Sequence, residues 1–203
     1  MSVRKITTLF LDIGGVILTN GWDHVSRAKA VQHFGVDKEE FEKRHQLAFD
    51  TYELGKISFD AYLDLLLFYE QRSFSKEDFK QFIYGESQML DGGFDFFKKL
   101  KKDNGLKVVA LSNEPRDINA YRIEKFGLNG LFDFYISSCY VGMRKPDFDI
   151  YRIATDVSFT APENTLYIDD RLPYIEVGRS RGLQCLLYKD VAQAKEEIKQ
   201  FEF

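Results

Sequence analysis

Residues 6–18 read ITTLFLDIGGVIL, and this stretch decides the fold of a chain of 203 residues. Its first part, residues 6–11, is short and apolar and runs directly into Asp12 and the pair Gly14-Gly15. A short apolar run that ends at a turn signal of this kind predicts a buried β-strand. A buried strand needs partners on both sides, so the rest of the sheet must come from elsewhere in the chain.

The partners are found in the second half, where apolar strands alternate with amphipathic helices. The predicted strands cover 106–111, 132–136, 165–168 and 183–187, and the predicted helices cover 94–102, 115–126, 147–157, 173–181 and 190–201. This alternation is typical of a parallel sheet covered by helices on both faces. We therefore predict an α/β fold, a doubly wound Rossmann-like parallel sheet that also contains the first strand.

The segment from about 20 to 86 carries helix start signals and no strand pattern. The candidate helix caps are Asp37 with Glu40, Ser75 with Asp78, and Ser58 before the run 59–69. We predict four helices here, inserted directly after the first strand. The chain then divides into an α/β core of residues 1–18 and 88–203 and an all-α cap of residues 19–87.

Charge and hydropathy exclude several classes of partner. The formal net charge is -4, and the lysines are scattered among acidic residues. Nucleic-acid binders usually carry a basic stripe, so we expect no nucleic-acid partner. Asp12 interrupts the apolar run at the start, which argues against a signal peptide, and no apolar stretch reaches the length of a membrane span. We expect a cytoplasmic protein with no membrane contact.

Polar side chains follow four successive predicted strands. Asp12 follows the first strand, Ser112 and Asn113 the second, Lys145 lies in the loop after the third, and Asp169 and Asp170 follow the fourth. Because open parallel sheets bind ligands beyond the carboxyl ends of their strands, we expect these side chains to meet at one edge. Each alone has an ordinary interpretation as a turn residue, helix cap or loop lysine. The combination is what indicates a site.

This set of side chains favours phosphoryl transfer with a bound cation. Clustered carboxylates repel one another unless a cation offsets their charge, and Mg²⁺ prefers oxygen ligands. The candidate metal ligands are Asp12, the backbone carbonyl of Gly14, Asp169 and Asp170, and the candidate phosphate-binding side chains are Ser112, Asn113 and Lys145. Asp12 is also the candidate nucleophile, which attacks phosphorus to form an acyl phosphate that water hydrolyses. Lys145 is the second candidate catalytic residue.

The same residues resemble the four motifs of the haloacid dehalogenase superfamily. The matching strings are LFLDIGGVI, VVALSN, VGMRKPDFDIY and LYIDDR, and the similarity spans essentially the whole chain. The inserted helices are similar to the small helical cap of that superfamily. The strings SNE and GMRKP are similar to bacterial sugar-phosphate phosphatases, including those for α-glucose 1-phosphate. The resemblance implies a magnesium-dependent phosphatase for a small phosphorylated metabolite, with an aspartyl-phosphate intermediate.

Two positions depart from the family pattern. Phosphatases of this superfamily usually have a second Asp two residues after the nucleophile, as general acid, but this chain has Gly14 there. General acid catalysis is typically worth roughly 10²–10⁴-fold. Its loss predicts a preference for better leaving groups, such as those of anomeric sugar, acyl and aryl phosphates. Tyr174 replaces an Asn or Asp common in relatives, and we expect it to change the surroundings of the acidic pair more than the reaction.

The first residues of the predicted cap are candidates for substrate contact. Trp22 and His24 are assigned to substrate binding, and Asp23 or His24 is a candidate replacement for the missing acid. The alternative interpretation is that Trp22 packs the hinge and Asp23 caps a helix. Glu53 and Lys56, in the turn YELGKIS, are weaker candidates for the same surface.

Two other functions stay open. A carbon–halogen hydrolase needs an Asp nucleophile without metal or general acid, although Asp169-Asp170 then has no purpose. A catalytically weak binding or regulatory protein that keeps the fold is favoured only by the lost acid. The sequence allows either a monomer or a homodimer.

Overall fold

The computed structural model describes residues 5–203 as one sheet with helices around it. Its strands are Thr8–Leu11 (β1), Lys107–Ser112 (β2), Phe134–Ser137 (β3), Thr165–Asp169 (β4) and Gln184–Leu187 (β5). Its helices are His24–Phe34 (α1), Lys38–Glu53 (α2), Phe59–Leu66 (α3), Lys76–Gly85 (α4), Gly93–Asn104 (α5), Arg116–Lys125 (α6), Ser138–Val141 (α7), Phe148–Ser158 (α8), Leu172–Ser180 (α9) and Val191–Glu197 (α10). Within this described part, none of the helices is long and apolar enough to cross a membrane.

The five strands are parallel and lie in the order β3-β2-β1-β4-β5. Leu11 pairs with Ala110 of β2 on one side and with Ile168 of β4 on the other. The first strand is therefore central, and the residues that follow β1, β2 and β4 reach the same edge of the sheet. The predicted α/β fold with a doubly wound parallel sheet is confirmed.

Each face of the sheet buries its own apolar layer. Leu9 and Leu11 point to one face and pack in a cluster with Phe97 of α5. Phe10 points to the other face and packs in a cluster with Ile150 of α8. Because side chains alternate along a strand, a continuous apolar run such as β1 supplies both layers at once. The sheet edge is thereby held between two packed helical layers.

Helices α1–α4 pack around a third apolar cluster. Trp22, Phe41, Tyr62 and Phe79 are buried in it, and Ile118 of α6 joins it from the sheet side. This arrangement accords with an inserted helical unit that rests on the core. The division at residues 19–87 stays a prediction, and residues 1–4 of the predicted core lie outside the described part.

The predicted helix starts differ in how completely they are capped. Ser75 and Asp78 form a full capping box at α4, as predicted. Ser58 accepts a hydrogen bond from the backbone N–H of Ala61 at α3. Asp37 accepts the N–H of Glu40, but no bond returns from the Glu40 side chain among the described residues. The second predicted box is therefore only a one-way cap.

Several predicted boundaries shift. The helix predicted over 59–69 ends at Leu66, because the N–H groups of Leu67 and Phe68 both bond to the carbonyl of Leu63 and close the last turn. The strand predicted over 132–136 begins at Phe134, after a short turn. The last helix ends at Glu197 and continues as a 3₁₀ turn, Ile198–Gln200. Helix α7 is too short to show a periodic pattern and was not predicted.

A buried hydrogen-bond chain surrounds His45 in the helical unit. The indole Nε1 of Trp22 donates to the Tyr62 hydroxyl at 3.0 Å, and this hydroxyl lies 2.8 Å from Nδ1 of His45. With the indole N–H donating to its oxygen, the Tyr62 hydroxyl has its own proton available for Nδ1, an arrangement that suits a neutral imidazole. Burial, with a smaller contribution from Arg27, lowers the pKa of His45 to about 4.

This low pKa predicts acid sensitivity. Between pH 6.5 and about 4 the unfolded chain binds more protons at His45 than the folded chain does. The free energy of unfolding should therefore fall as the pH drops through this window, by at most about 1.4 kcal/mol per pH unit from this group. Urea titrations at several pH values should give a shallower decline for His45→Gln than for the wild type. His33→Gln changes an exposed residue of α1 and is the control. Equal slopes for the wild type and His45→Gln would contradict the low pKa of His45.

Candidate active site

Asp12 lies just beyond β1, and its side chain is held through both oxygens. Oδ1 accepts hydrogen bonds from Oγ of Ser112 at 2.6 Å and from the N–H of Ile13 at 2.8 Å. Oδ2 lies 3.1 Å from Nζ of Lys145. Burial raises the pKa of Asp12 to about 7, although the charge of Lys145 pulls it downward. The carboxyl group is thus fixed at the predicted edge of the sheet.

Lys145 is fully buried between two carboxylates. Its Nζ lies 2.6 Å from Oδ2 of Asp169 and 3.1 Å from Oδ2 of Asp12. Burial alone lowers the pKa of Lys145, but the two carboxylates outweigh it and hold that pKa above the ordinary value. The ammonium group is therefore charged, and it is placed to contact an anion that approaches Asp12.

Asp169 uses both oxygens on protein donors. Oδ2 accepts the hydroxyl of Tyr167 at 2.5 Å as well as the Lys145 ammonium, and Oδ1 accepts the N–H of Arg171 at 2.8 Å. This carboxylate positions Lys145. Its predicted role as a metal ligand stays a prediction, and it has less freedom for that role than the residue after it.

Asp170 offers an oxygen that no protein group satisfies. Its Oδ1 is buried and has no hydrogen-bond partner among residues 5–203. Carboxyl oxygens of Asp12, Asp169 and Asp170 lie within 4.8 Å of one another. Burial, and then the charge of Asp169, raises the pKa of Asp170. Buried oxygens without partners are costly, so this cluster fits a divalent cation, which would satisfy the orphaned oxygen.

Gly15 makes this approach possible. A Cβ atom at Gly15 would lie 2.2 Å from Oδ2 of Asp170, and its backbone has a φ of +73°. A side chain at this position would collide with the carboxylate and strain the turn. Gly15 therefore lets the first and fourth strand ends come together. The predicted use of the Gly14 carbonyl as a ligand stays a prediction, although Gly14 does line the cavity described below.

Asn113 holds the loop of Lys145, and its predicted role in phosphate binding stays a prediction. Its Nδ2 donates to the carbonyl of Lys145 at 2.9 Å, and its Oδ1 accepts the N–H of Lys145 at 2.8 Å. The amide thus pairs with one peptide and ties the Lys145 loop to the end of β2. Its side chain braces the lysine, which leaves Ser112 and Lys145 as the side chains that contact Asp12.

A cavity of about 290 Å³ opens above Asp12, between the sheet edge and the inserted helices. The sheet side contributes Asp12, Gly14, Ser112, Asn113, Glu114, Pro115, Ile118, Arg144, Lys145, Arg171 and Tyr174. The inserted segment contributes Asn20, Trp22, Asp23, His24, Arg27, Phe49 and Glu53. A cavity of this size and mixed polarity suits a small polar metabolite.

The cap residues singled out from the sequence fall into distinct environments. Trp22 lines the cavity, but it is buried and packs edge-on against Phe41 and Phe79. His24 also lines the cavity and is exposed. Lys56 is exposed and is absent from the residues that line the cavity. Trp22 therefore both packs the helical unit and forms the cavity wall.

Asp23 caps a helix, which was the alternative interpretation of this residue. Its Oδ1 accepts the N–H groups of Val25 and Ser26, each at 2.9 Å, at the start of α1. Burial alone would raise its pKa, but these hydrogen bonds outweigh burial and lower the pKa of Asp23. The carboxylate is therefore a poor proton donor, and Asp23 does not suit the role of replacement acid.

Sequence reasoning missed a buried pair, Glu114 and Arg122. Nη1 of Arg122 lies 2.5 Å from Oε1 of Glu114, which lines the cavity. Arg122 also donates to Oγ of Ser87 and to the carbonyl of Thr19, each at 3.0 Å. Thr19 and Ser87 belong to the two segments that connect α1–α4 to the sheet. Arg122 therefore joins both connections to the active-site loop. Only Glu114 had a signal, in the string SNE.

Several known proteins resemble this chain in sequence. The profile of the haloacid dehalogenase-like hydrolase family matches residues 6–182. D-ribitol-5-phosphate phosphatase of Bacteroides thetaiotaomicron is 27% identical over 206 residues, which cover 95% of this chain and 97% of that enzyme. Bifunctional epoxide hydrolase 2 of Sus scrofa is 32% identical over 101 residues, 48% of this chain, and the match spans 18% of that longer protein. The predicted family resemblance is confirmed.

A solved structure shares the fold over nearly the whole chain. A HAD family enzyme from Bacteroides thetaiotaomicron, in complex with magnesium and inorganic phosphate, has a TM-score of 0.79 with this chain. The two are 20% identical, and the match covers 93% of this chain and 98% of that one. At this identity the similarity concerns the fold.

Proposed function

We propose that this chain, which belongs to the haloacid dehalogenase-like hydrolase family, is a magnesium-dependent phosphatase that becomes phosphorylated on Asp12. The observation that carries the proposal is the buried arrangement of Asp12, Ser112 and Lys145. Burying an ammonium group beside two carboxylates costs several kcal/mol in desolvation, and well-packed apolar side chains fill such space without that cost. Folding alone gives no reason for this set, whereas phosphoryl transfer uses each member of it.

The carboxylate cluster supports the magnesium requirement. Asp12, Asp170 and the carbonyl of Gly14 would hold the ion, with Asp169 fixed beside them. Bound magnesium supplies positive charge that offsets the repulsion between these carboxylates and a phosphate dianion. The orphaned Oδ1 of Asp170 is the feature that accords best with this assignment.

The proposed reaction has two half-reactions, phosphorylation of Asp12 and hydrolysis of the acyl phosphate, and side chains of this chain take part in both. Lys145 and Ser112 hold phosphate oxygens in line with Asp12, whose carboxylate attacks phosphorus. The new bond joins Asp12 to phosphorus while the bond from phosphorus to the leaving oxygen breaks. Water then attacks phosphorus of the acyl phosphate, which releases inorganic phosphate and restores Asp12. Asn113 and Asp169 keep Lys145 in place throughout.

The cavity supports a sugar phosphate or a similar small metabolite as substrate. Its volume of about 290 Å³ leaves room for a few carbon atoms beside the phosphate. Its wall combines the rings of Trp22 and Phe49 with hydrogen-bonding groups of Asn20 and Glu53, a mixture that suits a polyhydroxylated ligand. The name of the D-ribitol-5-phosphate phosphatase relative accords with this class. We propose a cytoplasmic location, and the choice between monomer and homodimer stays open.

The proposal predicts magnesium-dependent phosphate release. The panel contains glucose 1-phosphate, glucose 6-phosphate, ribitol 5-phosphate, acetyl phosphate and an aryl phosphate. Chelation with EDTA should lower kcat at least about 10²-fold, because charge stabilisation by a metal is worth several kcal/mol, and added magnesium should restore it. The measurement is release of inorganic phosphate with each compound.

The alternative functions, a binding protein and a carbon–halogen hydrolase, predict different results. Absence of phosphate release from every compound, with magnesium present, would contradict the phosphatase and favour a binding protein. Halide release from a 2-haloacid without metal would favour a carbon–halogen hydrolase. A wild type that releases phosphate equally well with EDTA would contradict the magnesium assignment.

A further inference from the structure

The phosphatase proposed above has no acidic side chain two residues after its nucleophile. Gly14 has no side chain, and a Cβ atom there would lie 3.0 Å from Oδ1 of Asn20. Asn20 therefore occupies the space toward which a side chain at position 14 would point. Its amide is not an acid, so a proton for the leaving group must come from another wall of the cavity.

Among residues 5–203, three carboxyl groups besides Asp12 line that cavity, and their contacts differ. They are Asp23, Glu53 and Glu114. Asp23 accepts hydrogen bonds from two backbone N–H groups at the start of α1. Glu114 is bound to the buried guanidinium of Arg122 at 2.5 Å. Glu53 differs from both, because its cation partner, Arg144, lines the cavity with it.

Glu53 is buried, with 6% of its surface exposed, and it faces the same cavity as Asp12. Its Oε2 forms no hydrogen bond with any residue of the described part. Nε of Arg144 lies 2.8 Å from this oxygen and forms an ion pair with it. A buried carboxyl oxygen without a hydrogen-bond donor is costly, and it accords with a site completed by a ligand.

The backbone of Glu53 is anchored to α7. The Ser138 hydroxyl donates to the carbonyl of Glu53 at 2.8 Å. Two residues later, a Cβ atom on Gly55 would lie 2.5 Å from the carbonyl oxygen of Cys139. The end of α2 therefore sits directly on α7. With the backbone held in this way, the ion pair with Arg144 orients the carboxyl group at the cavity wall.

We propose that Glu53 is a catalytic residue that donates a proton to the leaving oxygen, an inference that rests on the proposed phosphatase function. In the first half-reaction the bond from phosphorus to the leaving oxygen breaks, and that oxygen takes the proton of Glu53 to leave as an alcohol. In the second half-reaction water attacks phosphorus and its protons leave with inorganic phosphate, while the Glu53 carboxylate takes a proton from the solvent. One proton is given and one is recovered, so the cycle balances.

The charges around Glu53 suit this exchange. Burial raises the pKa of Glu53 to about 7. Arg144 pulls this pKa down, Glu114 and Asp50 push it up, and Arg171 pulls it down with the weakest effect. A proton donor works best with a pKa near the working pH, because both of its forms are then populated.

The experiment compares leaving groups in the wild type and Glu53→Gln. An aryl phosphate leaves as a stable phenolate, whereas a sugar-alcohol phosphate such as ribitol 5-phosphate needs protonation. Glu53→Gln should lower kcat for the sugar-alcohol phosphate by about 10²–10⁴-fold and change kcat for the aryl phosphate only slightly. Activity toward the aryl phosphate reports that the variant is folded. The decline of kcat at high pH with the sugar-alcohol phosphate should disappear in Glu53→Gln.

Two control variants separate this role from its rivals. Asp60→Asn removes the acidic partner of Lys80 in an ion pair outside the cavity, and it should leave the ratio of the two rates unchanged. His24→Gln should also leave that ratio unchanged. An equal loss with both substrates in Glu53→Gln, no loss with either, or a leaving-group-dependent loss in His24→Gln would overturn the inference. A wild type active only on aryl phosphate would overturn it too, and one inactive on both would overturn the proposed function itself.

Discussion

Asp12→Asn is expected to lower kcat for magnesium-dependent phosphate release by at least about 10⁴-fold, as removal of a nucleophile does in other hydrolases. The amide oxygen of Asn can still accept the hydrogen bonds from Ser112 and Ile13, so the fold should persist. An amide does not attack phosphorus, so the acyl phosphate does not form. The measurement is phosphate release from the best substrate of the panel, with thermal unfolding followed in parallel.

Two further variants make this result specific. Asp12→Ala should be equally inactive, and it excludes activity regained when Asn deamidates to Asp. Asp103→Asn removes a carboxylate from an exposed helical ion pair with Lys99 and should leave kcat unchanged. A rate for Asp12→Asn within about 10-fold of the wild type would exclude Asp12 as the nucleophile.

Arg122→Met is expected to lower the free energy of unfolding by about 3–5 kcal/mol, because it leaves the buried carboxylate of Glu114 without its cation. The guanidinium also loses its bonds to Ser87 and Thr19, so both connections to the helical unit lose an anchor. Gly21 packs so closely on Arg122 that a Cβ atom there would overlap the guanidinium. The measurement is a denaturant titration of the wild type and the variant.

The double variant Arg122→Met with Glu114→Gln tests the cause. Removing the stranded charge should recover part of the lost stability, since a neutral amide costs less to bury than an unpaired carboxylate. Arg152→Met, which removes an exposed helical ion pair with Asp149 and Asp156, should not shift the denaturation midpoint. An Arg122→Met midpoint equal to that of the wild type would contradict the role given to this pair.

The sheet edge could be predicted because each part of it follows a strand. Asp12, Ser112 and Asp170 come directly after apolar runs that need partners, and parallel pairing brings such strand ends together. The apolar pattern predicts each strand, and parallel pairing then predicts that the residues at the strand ends lie close together. The meeting of Asp12 and Ser112 follows from the topology rule, whereas Lys145 reaches Asp12 from the loop between α7 and α8.

The contacts that Asp169 and Asn113 make with Lys145 could not be read from the sequence. Whether a carboxylate holds a cation or a lysine depends on which donors lie within about 3 Å of each oxygen. For Asp169 these donors are Tyr167, Lys145 and Arg171. Side-chain direction and loop conformation decide such pairings, and neither has a periodic signature in the chain.

Contacts between the inserted helices and the sheet were equally hidden. Arg122 bonds to Thr19, 103 residues earlier in the chain, and its sequence neighbourhood resembles any polar helix surface. Glu53 stands in a turn-like string, and its backbone carbonyl accepts a hydrogen bond from Ser138 of α7, a helix of four residues. Long-range packing against other elements determines both environments. Arg122 became a candidate only once the elements were placed, whereas the sequence made Glu53 a weak candidate for substrate contact and gave no sign of its contacts with Ser138 and Arg144.

The most direct test of covalent catalysis by Asp12 is mass spectrometry of the enzyme quenched with acid during turnover. With magnesium and the best substrate of the panel, the peptide that contains Asp12 should gain the mass of one phosphoryl group. The gain should be absent at time zero and absent in Asp12→Asn. Rapid turnover with no phosphoryl group on that peptide at any quench time, or with the group on another residue, would contradict the account.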